Sequence, residues 1–258
     1  MTTLLLDVGN TRVKWGQLRN GRYAFSGSLP LSSLSVEQFL QQVVTDDIKP
    51  SRVILSAVSD ADWVKMLRFQ LSHVWSCRLI EVVSELEREG LRNGYVQAHR
   101  LGSDRWCALL GAWRLQTDAV CVVDAGTALT MDVVNNGGVH LGGLIVPGLS
   151  MMRQCLSQGT AKVGQALDLD EQSLEAPVGL LGCNTAQAVA GGSLWSLAAS
   201  VERLRAQAVD LVGGEMRCII TGGDAQQLLP LLSGEWQWMP DLVLRGLLAY
   251  TEESKIVS

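Results

Sequence analysis

The 258-residue sequence has few histidines and no closely spaced cysteines. Its three histidines and six cysteines are scattered, and no two cysteines lie closer together than fourteen residues. The ligand spacings typical of zinc sites are therefore missing. This pattern favours reduced thiols in an intracellular protein over a disulfide framework.

The sequence also has fewer positively than negatively charged residues. Lys and Arg total 21 against 26 Asp and Glu, which gives a formal net charge of −5. Nucleic acids and anionic membranes bind cationic surfaces, so we predict neither as a partner. Apolar residues make up 47% of the chain and charged residues only 18%. This composition excludes general disorder and predicts a large buried core.

No segment is typical of a secretory leader or a membrane span. The apolar run at 4–6 has no basic residue before it and stops at Asp7. Residues 178–201 carry no charge, but they include three serines, four glycines and several other polar residues. This mixture favours a packed helix that begins near Asn184 over a span. We therefore expect a soluble, cytoplasmic protein.

Hydrophobic patterning predicts alternating strands and helices in both halves of the chain. The predicted strands cover 4–8, 13–18, 23–29, 53–58, 79–83, 119–124, 128–134, 139–146 and 217–220. The predicted helices cover 36–44, 61–73, 104–115, 184–211 and 241–250, and a further helix contains Met151 and Met152.

A weak internal repeat relates the two halves. LLDVGNT at 5–11 resembles VVDAGT at 122–127, which begins 117 positions later. Each copy is an apolar strand that ends in Asp-x-Gly and is followed by a hydroxyl residue and another strand. The repeat predicts two similar α/β lobes, 1–117 and 118–258, that face each other across a cleft.

The first copy suits a phosphate-binding turn. Gly9 lets the chain turn tightly and lets an anion approach the backbone amides. Asn10 and Thr11 add donors, and Lys14 follows in the next strand. Asp7 at the strand end can hold magnesium directly or through water. Taken alone, the motif is as typical of an ordinary hairpin turn as of a ligand site.

The second copy shifts this balance. Asp124 and Thr127 repeat the acid and the hydroxyl at a corresponding strand end, and two such turns favour a clasp for a polyphosphate. A third motif, Thr221-Gly222-Gly223-Asp224, follows a predicted strand. Its paired glycines leave room for a base or ribose, although a helix entry without a ligand is the alternative.

Asp104 is a candidate catalytic base at a predicted helix start. A carboxylate there can accept backbone N–H bonds and stay ionised, while Arg105 can grip an anionic or carbonyl group. Taken alone, the pair is more typical of an ordinary helix start in which Ser103 is the cap and Arg105 is exposed.

In combination, these motifs resemble the type III pantothenate kinase family, part of the superfamily of acetate and sugar kinases, heat-shock ATPases and actin. The motifs are DVGNT at 7–11 with KWG at 14–16, LGSDRW at 101–106, DAGTALTMD at 124–132, GGLIVPG at 142–148, GCNT at 182–185 and TGGDA at 221–225. Ala98 departs from the proline that the family usually has three residues after the tyrosine, but no chemical group is lost.

The resemblance implies an α/β fold with two ribonuclease-H-like lobes, each with a mixed sheet flanked by helices, and ATP in the cleft between them. It also implies Mg²⁺, and a monovalent cation, K⁺ or NH₄⁺, near Asp124. Thr127 would contact ATP from the second hairpin. The first hairpin would hold the ATP phosphates with Asp7, Val8, Gly9, Asn10, Thr11, Arg12, Val13 and Lys14.

The implied reaction is the phosphorylation of pantothenate to 4′-phosphopantothenate, the first step of coenzyme A synthesis. Asp104 would be the general base, and the family works as a homodimer in which Thr185 reaches the partner's pocket. Which end of pantothenate Arg105 contacts is left open. The implied pantothenate pocket comprises Tyr95, Gly102, Ser103, Asp104, Arg105 and Thr185.

Two other functions fit the same fold. One is a non-catalytic accessory factor for transcription that senses pantothenate or a nucleotide, and the other is a kinase of a sugar or an acid. The carboxylates and Lys14 favour an enzyme, because a pure sensor needs no general base. The context of Asp104 within LGSDRW disfavours the sugar kinase.

Overall fold

The computed structural model describes residues 2–43, 50–58, 62–75, 77–160, 163 and 181–251. Its strands are β1 (Thr2–Val8), β2 (Arg12–Arg19), β3 (Arg22–Pro30), β4 (Arg52–Ala57), β5 (Arg78–Glu81), β6 (Glu87–Arg88), β7 (Leu91–Arg92), β8 (Val120–Ala125), β9 (Ala128–Val134), β10 (His140–Pro147), β11 (Arg217–Thr221) and β12 (Gln237–Trp238). Its helices are α1 (Val36–Val43), α2 (Asp62–Phe69), α3 (Ser103–Leu115), α4 (Leu149–Gly159), α5 (Thr185–Val212), α6 (Ala225–Leu228) and α7 (Leu242–Leu247).

The chain divides into two compact units. Unit 1 comprises Met1–Asp118, Val134–Gly142 and Asp241–Ser258, and unit 2 comprises Ala119–Val133 and Gly143–Pro240. The predicted lobes, 1–117 and 118–258, differ from these units because two later segments fold with unit 1.

Unit 1 is built on a mixed five-stranded sheet with the order β3-β2-β1-β4-β5. Strands β1, β2 and β3 pair antiparallel, whereas β4 pairs parallel with both β1 and β5. Helix α1 buries Val36, Phe39, Leu40 and Val43, which recur at helical spacing, in the same core as the strand residues Leu4 and Val53.

Helix α7 belongs to unit 1 because it packs very closely on α3. A Cβ on Gly111 would lie 2.4 Å from the carbonyl oxygen of Leu242, and one on Gly246 only 1.8 Å from that of Cys107. No side chain fits at either glycine, so the two helix backbones come into direct contact. This long-range packing is the reason that the predicted lobe boundary misplaces the C-terminal segment.

Unit 2 repeats the arrangement with the strand order β10-β9-β8-β11-β12. Strand β11 pairs parallel with both β8 and β12. Helix α5 runs unbroken through Gly191 and Gly192. It starts at Asn184, whose side chain accepts from the Gln187 amide at 2.8 Å, and ends at Gly213, which has a φ of 71°.

The charge-free stretch at 178–201 is mainly the first half of α5, and residues 178–180 lie outside the described residues. Val189, Leu194, Leu197 and Val201 are all buried, three of them in the core of unit 2 and Val189 in a small adjoining cluster. Among the described residues, no helix combines the length and the apolarity needed to cross a membrane.

Candidate active site

The first hairpin is fixed by two buried valines. Val8 and Val13 face each other across β1 and β2 and are both fully buried. The Gly9 amide donates to the carbonyl oxygen of Arg12 at 3.0 Å and closes the turn. The apolar anchors below the turn thus hold its backbone at one edge of the sheet.

The polar residues of this hairpin divide into buried and exposed groups. Asp7 is only 8% exposed and lies opposite the half-buried Lys14 in the strand register. The Arg12 Nε donates to the Ser28 hydroxyl at 3.0 Å, which ties that side chain to β3. The exposed positions of the turn are Asn10, Thr11 and Arg12.

Helix α3 starts beside the carboxyl end of β4. Ser56, which neighbours Asp7 in the parallel register, is fully buried, and its hydroxyl oxygen lies 3.0 Å from that of Ser103. The cap of α3 is Gly102, and no side chain caps this helix end. The alternative in which Ser103 caps the helix is therefore wrong, because its hydroxyl hydrogen-bonds to the sheet instead.

Asp104 follows this tether and curls over the helix start. Its Oδ1 accepts from the Arg105 amide at 2.7 Å, and a Cβ on Gly102 would lie 2.6 Å from the same oxygen. Burial raises the pKa of the Cys107 thiol, and the negative charges of Asp7 and Asp104 raise it further. The charges of both carboxylates therefore reach the same buried thiol in unit 1.

Arg105 is buried, with 7% exposure, so the alternative in which it faces solvent is wrong. Its Nη1 donates to the Tyr95 hydroxyl at 2.8 Å, and its guanidinium carbon lies 5.6 Å from the centre of that ring. The structure thus places Tyr95 against Arg105, which follows Asp104 directly in the chain.

Asn93 is a residue of this site that the sequence analysis missed. Its Oδ1 accepts from the Tyr95 amide at 3.0 Å, and its Nδ2 donates to the carbonyl oxygens of Glu85 and Ala98, both at 3.1 Å. The dipeptide Asn93-Gly94, which is common in turns, is the only local signal that could have indicated this role.

A cavity of about 360 Å³ opens at the carboxyl ends of β4 and β5. In sheets with parallel strands, ligands commonly bind at this edge. The residues that line the cavity include Gly102 and Ser103 at the start of α3, Val83 and Ser84 after β5, and His99 and Arg100.

In unit 2, the second hairpin is braced by the start of α4. Asp124 lies opposite Thr221 in the register of β8 and β11, and a Cβ on Gly126 would lie 3.2 Å from the Asp124 Oδ1. The Gly148 amide donates to the carbonyl oxygen of Thr127 at 3.1 Å, and a Cβ on Gly148 would lie 2.5 Å from that oxygen.

The glycine loop after β11 is folded back on the second hairpin. Gly222 has a φ of 96°, and the Asp224 amide donates to the carbonyl oxygen of Ala125 at 2.9 Å. Burial raises the pKa of Asp224, and the charge of Arg153 partly opposes this effect. No described atom lies within 4 Å of a Cβ built on Gly223, so the loop has an open side at this glycine.

The remaining predicted residue, Thr185, is exposed at the first position of α5 in unit 2. Asp124 and Thr127 also belong to unit 2, whereas the other predicted site residues all belong to unit 1. Within the ranges that the structure describes, no three or more His, Cys, Asp and Glu side chains form a group that could hold a metal by itself.

The fold is similar to that of a solved sugar kinase. A ROK family glucokinase from Streptomyces griseus, solved with glucose and AMPPNP, superposes with a TM-score of 0.53 at 13% identity, covering 96% of this chain and 98% of that one. This likeness confirms the predicted fold class of two lobes with mixed sheets flanked by helices.

Sequence comparison identifies the family within this class. Residues 3–207 match the family model of type III pantothenate kinases. The type III pantothenate kinase of Nitrosospira multiformis is 38% identical over 255 residues, covering 97% of this chain and 91% of that protein. The enzyme of Nitrosococcus oceani is 33% identical over 259 positions, covering 98% and 95%. The chain belongs to the type III pantothenate kinase family.

Family membership confirms the predicted activity. The protein is an enzyme that phosphorylates pantothenate with ATP. A non-catalytic accessory role in transcription is not favoured.

Proposed function

We propose that this chain transfers the γ-phosphate of ATP to the primary hydroxyl of pantothenate with Asp104 as the general base. One observation carries the assignment. The start of α3 is tethered by Ser103 to the sheet beside Asp7, so the predicted base and the first phosphate hairpin converge in unit 1.

In this mechanism, pantothenate binds beside the start of α3. Tyr95 and Arg105, which already share a hydrogen bond, bind polar groups of pantothenate together with Gly102, Ser103 and Thr185. The primary hydroxyl donates a hydrogen bond to Asp104. Its proton passes to the carboxylate as the new P–O bond forms and ADP leaves.

The phosphate side relies on position and charge, which dominate phosphoryl transfer. The exposed turn residues Asn10 and Thr11 face the phosphates, and Lys14 balances their negative charge. Thr127 contacts ATP from the second hairpin. The ribose or base lies on the open side of Gly223.

The carboxylates fit the ions that the resemblance implies. Mg²⁺ is usually held by one or two carboxylates together with substrate phosphates, so the strand-end Asp7 is sufficient and no larger acidic cluster is needed. When bound, the ion offsets phosphate charge. Asp124 would repel phosphates unless a cation lay between them, and K⁺ or NH₄⁺ fills this role in our proposal.

We also propose a cytoplasmic homodimer in which Thr185 completes the partner's pocket. Leu194, Leu197 and Val201 of α5 are buried within unit 2, so the support is the resemblance and the exposed position of Thr185. Asp104→Asn and Thr185→Arg subunits, each inactive alone, should regain activity when mixed, because heterodimers contain one intact site. Failure to recover activity after verified subunit exchange would contradict the shared site.

The reaction itself is tested by ADP release with and without pantothenate, and by the mass of the product. We expect ADP release to depend on pantothenate, and the product to be heavier by one phosphoryl group. Glucose and acetate serve as control acceptors. Equal turnover with either control, or ADP release without any acceptor, would contradict the proposed function.

A further inference from the structure

We propose that His140 is a positioning residue for the pantothenate pocket, because its buried imidazole stacks on Tyr95 and so fixes the guanidinium of Arg105. The inference rests on the proposed function in one respect, which is that Tyr95 and Arg105 bind pantothenate.

The ring contact is well defined. His140 is the first residue of β10, belongs to unit 1 and is 1% exposed. Its ring lies 5.9 Å from the Tyr95 ring, centre to centre, at an interplanar angle of 15°. This is within the range of offset aromatic stacking.

The backbone holds the two rings in register. A Cβ on Gly94 would lie 1.8 Å from the carbonyl oxygen of His140, so the loop lies directly on the strand. One step earlier, Arg92 and Val139 form a parallel bridge, and the Arg92 amide donates to the carbonyl oxygen of Gly138 at 2.8 Å. Asn93 holds the Tyr95 amide and so fixes the backbone of this loop. The orientation of the Tyr95 ring then depends on its contact with His140.

The stack of His140 on Tyr95 determines the orientation of the Arg105 guanidinium. The Tyr95 hydroxyl accepts from Arg105 at 2.8 Å, so a swing of the Tyr95 side chain about its Cα–Cβ bond would move the acceptor that holds the guanidinium. Arginine recognises anionic groups through a planar fork of donors whose direction matters. Loss of the stack should therefore weaken pantothenate binding and leave ATP binding unchanged.

Two substitutions separate the ring from the space it fills. His140→Leu keeps a similar volume but removes the stack, whereas His140→Phe keeps a stacking ring in a somewhat larger side chain. We expect His140→Leu to raise the KM for pantothenate about threefold to tenfold, the range of an aromatic pair, with the KM for ATP unchanged. His140→Phe should restore the wild-type value. His73→Ala is the matched control, because it removes the exposed Phe69–His73 stack in the same unit.

Coupling to Tyr95 provides the decisive measurement. In a Tyr95→Ala background, His140→Leu should have no further effect on pantothenate affinity measured by calorimetry, because the ring on which His140 acts is gone. Additive losses, equal rises in both KM values, or a His140→Phe variant as impaired as His140→Leu would overturn the inference. A wild-type protein that binds no pantothenate would instead contradict the proposed function.

Discussion

Asp7 and Asp124 stand at matching positions in the two units, each beside a hydroxyl residue on the neighbouring parallel strand. Asp7 lies opposite Ser56 and Asp124 opposite Thr221, and both hydroxyl residues are fully buried. The Ser56 hydroxyl binds Ser103 at the start of α3. The Thr221 hydroxyl has no hydrogen-bond partner in the part of the chain that the structure describes.

The different partners of the two hydroxyls show how the same arrangement of strands supports two different sites. In unit 1 the buried hydroxyl anchors a helix that carries a carboxylate and an arginine. In unit 2 the same strand end continues into Gly222 and Gly223, which fold back on the hairpin and leave an open side. In the proposed function, unit 1 therefore supplies the general base and one phosphate-binding hairpin, whereas the glycine loop of unit 2 binds the base or ribose of ATP.

The largest effect on activity should come from Asp104, the candidate base on the helix that the buried hydroxyl anchors in unit 1. Asp104→Asn should lower kcat by about 10²–10⁴, the usual loss when a general base is removed. The fold should be kept, because asparagine can still accept from the Arg105 amide. Steady-state kinetics with a thermal unfolding curve test this, and a kcat near that of wild type would remove Asp104 from the mechanism.

A second change makes the first hairpin resemble the second. When DVGNTRVK is aligned with DAGTALT by skipping Asn10, Thr130 takes the place of Lys14. Lys14→Thr should lower kcat/KM for ATP about tenfold to a hundredfold, as expected when a charged contact to phosphate is lost. Lys65→Thr, at an exposed position of α2, is the control. Equal losses in both variants would contradict a role for Lys14.

The monovalent cation tests the second hairpin alone. Wild-type activity should be about tenfold higher in potassium than in sodium, the scale of one charge-assisted contact. Asp124→Ala should raise the KM for ATP and abolish the difference between the two salts. The measurement is ADP release at constant ionic strength, and full activity in sodium without any gain from potassium would exclude this role for Asp124.

Local sequence patterns predicted most of the strands and helices. Each predicted strand is present, with ends within two residues of those found, because apolar runs and turns are local signals. The two-residue strands β6, β7 and β12 were missed, since two residues carry no periodicity. Residue 44, predicted to end the first helix, and residue 61, predicted to begin the second, lie outside the described residues.

The parts of the site that escaped prediction depend on distant contacts. The sequence indicates the two hairpins, Asp104 and Arg105, because each belongs to a short motif. It cannot indicate that Ser103 binds Ser56, 47 positions away, or that His140 stacks on Tyr95. The assignment of 134–142 and 241–258 to unit 1 escaped prediction for the same reason.

The smallest effect concerns the two buried hydroxyls themselves. Ser56→Ala should lower the free energy of unfolding by about 1 kcal/mol, because it removes a buried hydrogen bond and leaves the Ser103 hydroxyl with one partner fewer. Thr221→Val keeps the side-chain shape and removes a hydroxyl that already lacks a partner. It should leave stability unchanged or increase it by up to about 1 kcal/mol.

Urea unfolding midpoints of the two variants give the comparison, and kcat should fall only for Ser56→Ala, since only that hydroxyl positions α3. If Thr221→Val were the more destabilising variant, the Thr221 hydroxyl would have a partner after all, and the contrast between the two units would not hold.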